Sequence, residues 1–201
     1  MQVKLWAMRT RLLSAEEEDL LLASLPIALQ ERLRTVDDAL RQQSLWGYSL
    51  LRFALREGYD VDVPAIAWSE QGKPYFPGQR EFFFNVSHTD GAVLVGLSQR
   101  EIGVDLEKDR EAPARLRKLL QTGEPFFAQW VRWEACAKCL GVSVLSLLRN
   151  GMLPEGIAYC EIETFPGYRA GAAVQGAEED VTVRITEWEE LLSMCRDGGK
   201  D

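Results

Sequence analysis

The chain is poor in several things that would point to particular functions. Among 201 residues there is a single histidine and four cysteines, Cys136, Cys139, Cys160 and Cys195, all in the second half. So few thiols, unevenly placed, argue against a disulfide framework and predict reduced cysteines. Cys136 and Cys139 form a C-x-x-C, but no second close pair completes a zinc site and no strand-to-turn context suits redox chemistry. No apolar run approaches the roughly eighteen residues that a membrane helix needs, and Met1 to Arg11 lacks the apolar block of a signal peptide. A cytoplasmic protein without membrane partners is therefore expected. Positive charge is also scarce: 23 Lys and Arg stand against 31 Asp and Glu, a net charge of -8. That balance disfavours nucleic acid, whose affinity comes from many phosphate-neutralising cations. A local basic cluster, Lys108, Arg110, Arg115, Arg117 and Lys118, is either a pocket for a small anion or a solvated helix face.

What is present is a chain with 46% hydrophobic residues, enough for a substantial core. Residues 2 to 7 predict a strand. Ser14 with Glu17 predicts a capping box opening a helix through about Leu25. Leu40, Ser44, Tyr48, Leu51 and Leu55 predict a second helix from Asp37 to Arg56, with Arg41 and Arg52 off its buried stripe. Val61 to Pro77 reads as extended and loop-like. Strands are expected at Phe82 to Ser87, Ala92 to Ser98 and Ile102 to Glu107, the first two joined around Asp90-Gly91. A mostly helical stretch covers Ala112 to Leu148, and strands return at Ile157 to Phe165, Ala170 to Gln175 and Val181 to Thr186. Strand, helices and strands thus occur twice. The expectation is an α+β fold of two similar halves, residues 1–100 and 101–201, related by a pseudo-twofold axis.

Asp105 and Glu107 alternate on a predicted strand, so both carboxylates project from one side. A magnesium ion suits such a pair, since it takes hard oxygen ligands together with substrate phosphates. Alone, the pair is more simply an exposed polar face with Val104 and Leu106 packed inward. Glu134 and Lys138 lie one helical turn apart, either on a cleft wall or as an ordinary surface ion pair. His88 follows Ser87 at a strand end, where phosphate could be held; neighbours on an extended chain diverge, so a hydrolytic Ser-His pair is not expected.

Taken in order and spacing, Phe84-Asn85-Val86-Ser87-His88, Gly103-Val104-Asp105-Leu106-Glu107, and Trp130 through Glu134 to Lys138 resemble the 4'-phosphopantetheinyl transferase family. The likeness is to the two-domain type that activates surfactin-like peptide synthetases. It extends to Gly72-Lys73-Pro74, Gly167-Tyr168 and Glu189-Glu190-Leu191-Leu192, covering most of the chain from about residue 38. The resemblance implies an enzyme that moves the phosphopantetheine arm of coenzyme A onto a serine of an acyl- or peptidyl-carrier protein. It implies magnesium on Asp105, Glu107 and Glu134, and Lys73 and Pro74 beside the adenine. It further implies Ser87 and His88 on the phosphates, Lys138 on the pyrophosphate, and Glu134 helping to take the serine proton. A single chain is expected to carry the complete site as a monomer. Two positions depart from the pattern. Trp133 stands where the family usually has lysine, with Arg132 as the neighbouring cation. Gln43 aligns with a phosphate-binding arginine, for which Arg41 is the substitute. A coenzyme A or carrier-binding module without turnover, and another magnesium-dependent phosphotransferase or hydrolase, are the alternatives.

Overall fold

Strand β1 (Gln2–Arg9) is buried on both faces: Val3, Leu5 and Ala7 point into one apolar cluster, Trp6 and Met8 into another. A strand with two apolar faces must be covered on both sides, and the whole architecture follows from that requirement. The computed structural model describes residues 2–120, 124–176 and 180–197.

On the Trp6 side lie four helices: α1 (Ala15–Ala23), α2 (Ile27–Leu33), α3 (Asp38–Tyr59) and α7 (Trp188–Asp197). They share a core with Leu45, Leu50, Leu51 and Leu55 of α3 and Leu191 and Leu192 of α7. The capping box of α1 forms as expected, with Ser14 accepting from the Glu17 backbone N–H and Glu17 accepting from that of Ser14. On the Val3 side, β1 and its neighbours face a second sheet. The order in the first sheet is β4 (Phe83–Thr89), β5 (Ala92–Ser98), β1, β9 (Asp180–Thr186), with β9 parallel to β1 and the other pairs antiparallel. The second sheet runs β6 (Ile102–Lys108), β8 (Tyr168–Gln175), β7 (Ile157–Ile162), all antiparallel. Its far face is covered by α5 (Phe126–Leu140), against which α6 (Val144–Asn150) packs. The fold is α+β, layered as helices, sheet, sheet, helices.

Several elements depart from the sequence reading. The first hairpin strand continues through His88 and Thr89, so the turn is only Asp90-Gly91, a two-residue connection matching the strand twist. The loop-like stretch holds a short hairpin, β2 (Ala67–Trp68) with β3 (Pro74–Tyr75). The helical stretch is interrupted, with a single turn α4 (Ala114–Arg117) before α5; Gln121 to Gly123 lie outside the described residues. Helices α2 and α7 were not expected. Because of α7, Arg52 on α3 is buried, 6% exposed, and not off the buried stripe as its spacing predicts. Helix α7 covers that face, and the guanidinium is accommodated by Asp62 Oδ1 at 3.1 Å, with Cys195 Sγ of α7 at 3.9 Å. Among the described residues no helix is long and apolar enough to cross a membrane.

Candidate active site

Strand β6 builds the site by alternation. Ile102, Val104 and Leu106, all 1% exposed or less, fill the core between the sheets, which leaves Gly103, Asp105 and Glu107 on the side of α5. Gly103 sets how close that helix comes. A Cβ there would stand 2.1 Å from the Ala135 carbonyl oxygen and 2.2 Å from the Cys139 nitrogen. Only a residue without a side chain lets the helix backbone lie on the strand in this way. The buried faces of Ala135, Cys136 and Cys139 complete the contact, and burial pushes the two thiols up to about 11 and about 12. Both side chains are buried in the packing of α5 against the sheet.

With α5 so placed, Lys138 does not pair with Glu134 one turn earlier. Its Nζ donates to Asp105 Oδ1 at 2.6 Å and to Ser87 Oγ at 3.0 Å. The Ser87 hydroxyl donates to the same Asp105 oxygen at 2.9 Å and accepts from the Leu106 backbone N–H at 3.2 Å. Asp105 is not on an exposed polar face: it is 4% exposed, and its other oxygen, Oδ2, is buried with no hydrogen-bond partner. A bare carboxylate oxygen in the interior is costly unless something neutralises it.

Glu107 and Glu134 complete the negative group. Burial raises Glu107 above the usual carboxylate range and Asp105 adds to it, against the pull of Arg110. Burial likewise raises Glu134; Lys138 opposes this, while Asp105 and Glu107 reinforce it. The three carboxylates therefore feel one another across one cleft. Among the described residues no three His, Cys, Asp or Glu side chains already enclose a metal position, so the group is a convergence of charge and not a closed cage.

The seam beside this cleft is unusual. Strand β4 is the edge of one sheet and β6 the edge of the other. They are joined by side chains of β4 reaching backbone and side-chain groups of β6. Asn85 Oδ1 accepts from the Val104 N–H at 2.9 Å, Ser87 takes Leu106 and Asp105, and Thr89 Oγ1 donates to Glu107 Oε2 at 3.3 Å. The sequence assigns no role to Asn85, Thr89 or Gly103, and reads Arg110 only as a member of the basic cluster. The signal available was the matching two-residue periodicity of Asn85, Ser87, Thr89 and of Asp105, Glu107.

The other expected site residues fall in different places. His88 is exposed on the opposite side of β4 from Ser87; desolvation by the surrounding protein, and then the charge of Lys138, hold its imidazole below the usual range. Lys73 donates to Glu101 Oε2 at 2.6 Å and to the Cys139 carbonyl at 2.9 Å. Both residues line a hollow of about 320 Å³ with Ser69, Tyr75 and Gly141. Glu101 precedes Asp105 by four residues, about 13 Å along an extended chain, and Pro74 pairs with Trp68 beside this hollow. Arg41 is not with the carboxylates of β6: it forms ion pairs with Glu18 and with Asp38, the latter at 2.9 Å. Gln43 lines a separate cleft of about 450 Å³ that also holds Thr89 and Asp90. Trp133 packs against the apolar cluster of α5 with Ile157 and Tyr159. Arg132 pairs with Glu124 at 3.8 Å and lies over the Tyr159 ring. In the basic cluster, Lys108 is committed to Asp90 and Arg110 to Glu107, whereas Arg115 is exposed on α4.

No protein-family model matches the chain. Curated proteins do. A 4'-phosphopantetheinyl transferase of Bacillus subtilis is 35% identical over 217 aligned residues, spanning 90% of this chain and 96% of the relative. The 4'-phosphopantetheinyl transferase Sfp of Bacillus subtilis strain 168 is 26% identical over the same shares. The 4'-phosphopantetheinyl transferase AcpT of Escherichia coli K12 is 29% identical over 70% of this chain and 80% of its own length. Identity of this level along nearly the full length of both chains shows that the protein belongs to the 4'-phosphopantetheinyl transferase family.

Proposed function

We propose that the protein transfers the 4'-phosphopantetheine group of coenzyme A to a serine of an apo acyl- or peptidyl-carrier protein, releasing 3',5'-ADP, as a monomer in the cytoplasm. The observation that carries this reading is the bare, buried Oδ2 of Asp105, whose other oxygen is held by Lys138, together with the charges of Glu107 and Glu134 acting on the same group. That donor set, all hard oxygen, fits magnesium, with Asp105, Glu107 and Glu134 as the residues that would hold it. When bound, the ion supplies charge neutralisation to the phosphates and their developing negative charge.

The chain's own groups do the rest. In the transfer, the carrier serine oxygen bonds to the phosphorus that bears pantetheine, and the bond from that phosphorus to the bridging oxygen breaks. The bridging oxygen leaves with 3',5'-ADP. Glu134 takes the serine proton directly or through water. Lys138, already directed at the cleft by Asp105 and Ser87, lies where it can meet the pyrophosphate. Lys73 lines the hollow that would take the adenine, and Pro74 follows it in the chain between two lining residues. Ser87 uses its hydroxyl on Asp105 and Leu106, so its contribution is to hold the carboxylate, and His88 is the freer of the two to meet phosphate.

Arg115, Arg117 and Lys118 are exposed around α4 and would steer an acidic carrier, since such charge acts mainly on encounter rate. A second reading rests on Trp133, which places an apolar group where the family carries lysine: a module that binds coenzyme A or carrier without turnover. The deciding experiment is the intact mass of apo carrier proteins after incubation with this protein, coenzyme A and magnesium, with a chelator control. A chelator-sensitive gain of one phosphopantetheine arm supports transfer. Coenzyme A binding with no gain on any carrier supports the binding module.

A further inference from the structure

The two carboxylates of β6 are held in the same way. On Asp105, one hydroxyl (Ser87) and one cation (Lys138) both land on Oδ1, and Oδ2 is left bare. On Glu107, one hydroxyl (Thr89, 3.3 Å) and one cation (Arg110, 3.0 Å) both land on Oε2. No donor among the described residues is bonded to Oε1. The hydroxyls come from β4 at a two-residue step, opposite carboxylates at a two-residue step on β6, so one strand pairing repeats the same device twice.

Arg110 is anchored for this task. The Nη1 group that meets Glu107 also donates to the Lys108 carbonyl at 3.2 Å, and the guanidinium lies 4.9 Å from the centre of the Phe127 ring at the start of α5. A side chain tied at three points returns to one geometry, whereas a free surface arginine samples many. Its own 48% exposure lets solvent screen its charge, so its contribution at Glu107 is chiefly directional.

We infer that Thr89 and Arg110 are positioning residues that tie back one oxygen of Glu107 and present the other to a divalent cation, as Ser87 and Lys138 do for Asp105. The inference rests on the metal reading given under Proposed function. Partners that orient a ligating carboxylate in this manner govern metal affinity without touching the metal.

The test is manganese(II) binding to the full chain, followed by the electron paramagnetic resonance of the free ion, for wild type, Thr89→Val, Thr89→Ser and Arg110→Gln. Thr89→Val removes the hydroxyl with little change of shape and none of charge. Thr89→Val and Arg110→Gln are expected to weaken manganese binding by about tenfold or more, with the metal-free melting temperature unchanged, and Thr89→Ser to bind as wild type. Unaltered affinity in both weakened candidates overturns the inference, and tighter binding by Arg110→Gln also overturns it by making the arginine a competitor. If either variant fails to fold, the other decides. Absence of manganese binding by the wild type would instead defeat the metal reading, and the positioning role with it.

Discussion

Replacing Gly103 with alanine tests how the site is assembled. The added carbon would meet the Ala135 carbonyl oxygen at 2.1 Å, the Cys139 nitrogen at 2.2 Å and the Cys139 Cα at 2.9 Å. These are backbone atoms in the body of a helix, so no side-chain rotation relieves the clash. Ordinary contact begins near 3.5 Å, and α5 must withdraw from β6 by more than about 1 Å. Forcing one extra carbon into such packing costs about 1–3 kcal/mol, which in a chain of this size lowers the melting temperature by about 2–4 °C per kcal/mol. The functional penalty is expected to be larger than the stability penalty. Glu134 and Lys138 travel with the helix while Asp105 stays on the strand, and a displacement of about 1 Å between reacting groups costs about a hundredfold in rate. Thermal unfolding by circular dichroism and the initial rate of carrier modification are the assays. A Gly103→Ala protein with wild-type melting temperature and wild-type rate would refute the claim that this glycine sets the spacing between α5 and β6.

Asp105→Asn should retain the fold, because an amide can still meet the Ser87 hydroxyl, yet lower transfer by about a hundredfold or more, the scale of losing one electrostatic group at a reacting centre; an unchanged rate would remove Asp105 from the site. Asn85→Ala strands the Val104 N–H without its acceptor and should cost about 1–3 kcal/mol in denaturant unfolding. Reversing the charges of Arg115, Arg117 and Lys118 together is expected to raise the KM for carrier and flatten its salt dependence, while coenzyme A binding is unaffected; carrier kinetics that do not move would reduce the cluster to a solvated face. With folded-state pKa values of about 11 and about 12, Cys136 and Cys139 remain protonated at pH 8, since deprotonation requires pH to rise through those values. Iodoacetamide at pH 8 should therefore spare both in the native protein and modify them after unfolding, as peptide mass mapping would show.

The elements that the sequence disclosed were those with strong local signals. The capping box at Ser14 and Glu17, the alternation of Ile102 to Glu107 and the Asp90-Gly91 turn each specify geometry within a few residues, and each is present. What escaped the sequence depended on distant chain. Helix α7 was not expected, yet Leu191, Leu192 and Cys195 fit the core that α3 and β1 offer; for the same reason Arg52 was placed outside a face that α7 encloses. The carboxylates were visible as a pattern, but burial of Asp105 and its ties to Ser87 and Lys138 were not. Those depend on β4 lying against β6, and the two strands are not hydrogen-bonded neighbours within either sheet. The register across that seam has no local code, although the two-residue repeats on both strands are consistent with it.

The seam between β4 and β6 differs from a ladder in what heritable change can do to it. A ladder bond belongs to the backbone, and every residue except proline supplies it. The bonds that cross this seam belong to Asn85, Ser87 and Thr89, so each can be lost, gained or exchanged by a single codon while both sheets keep their own pairing. The wall of the cleft is thus among the few parts of the framework that variation can retune one bond at a time, and it is the part that holds Asp105 and Glu107 in place.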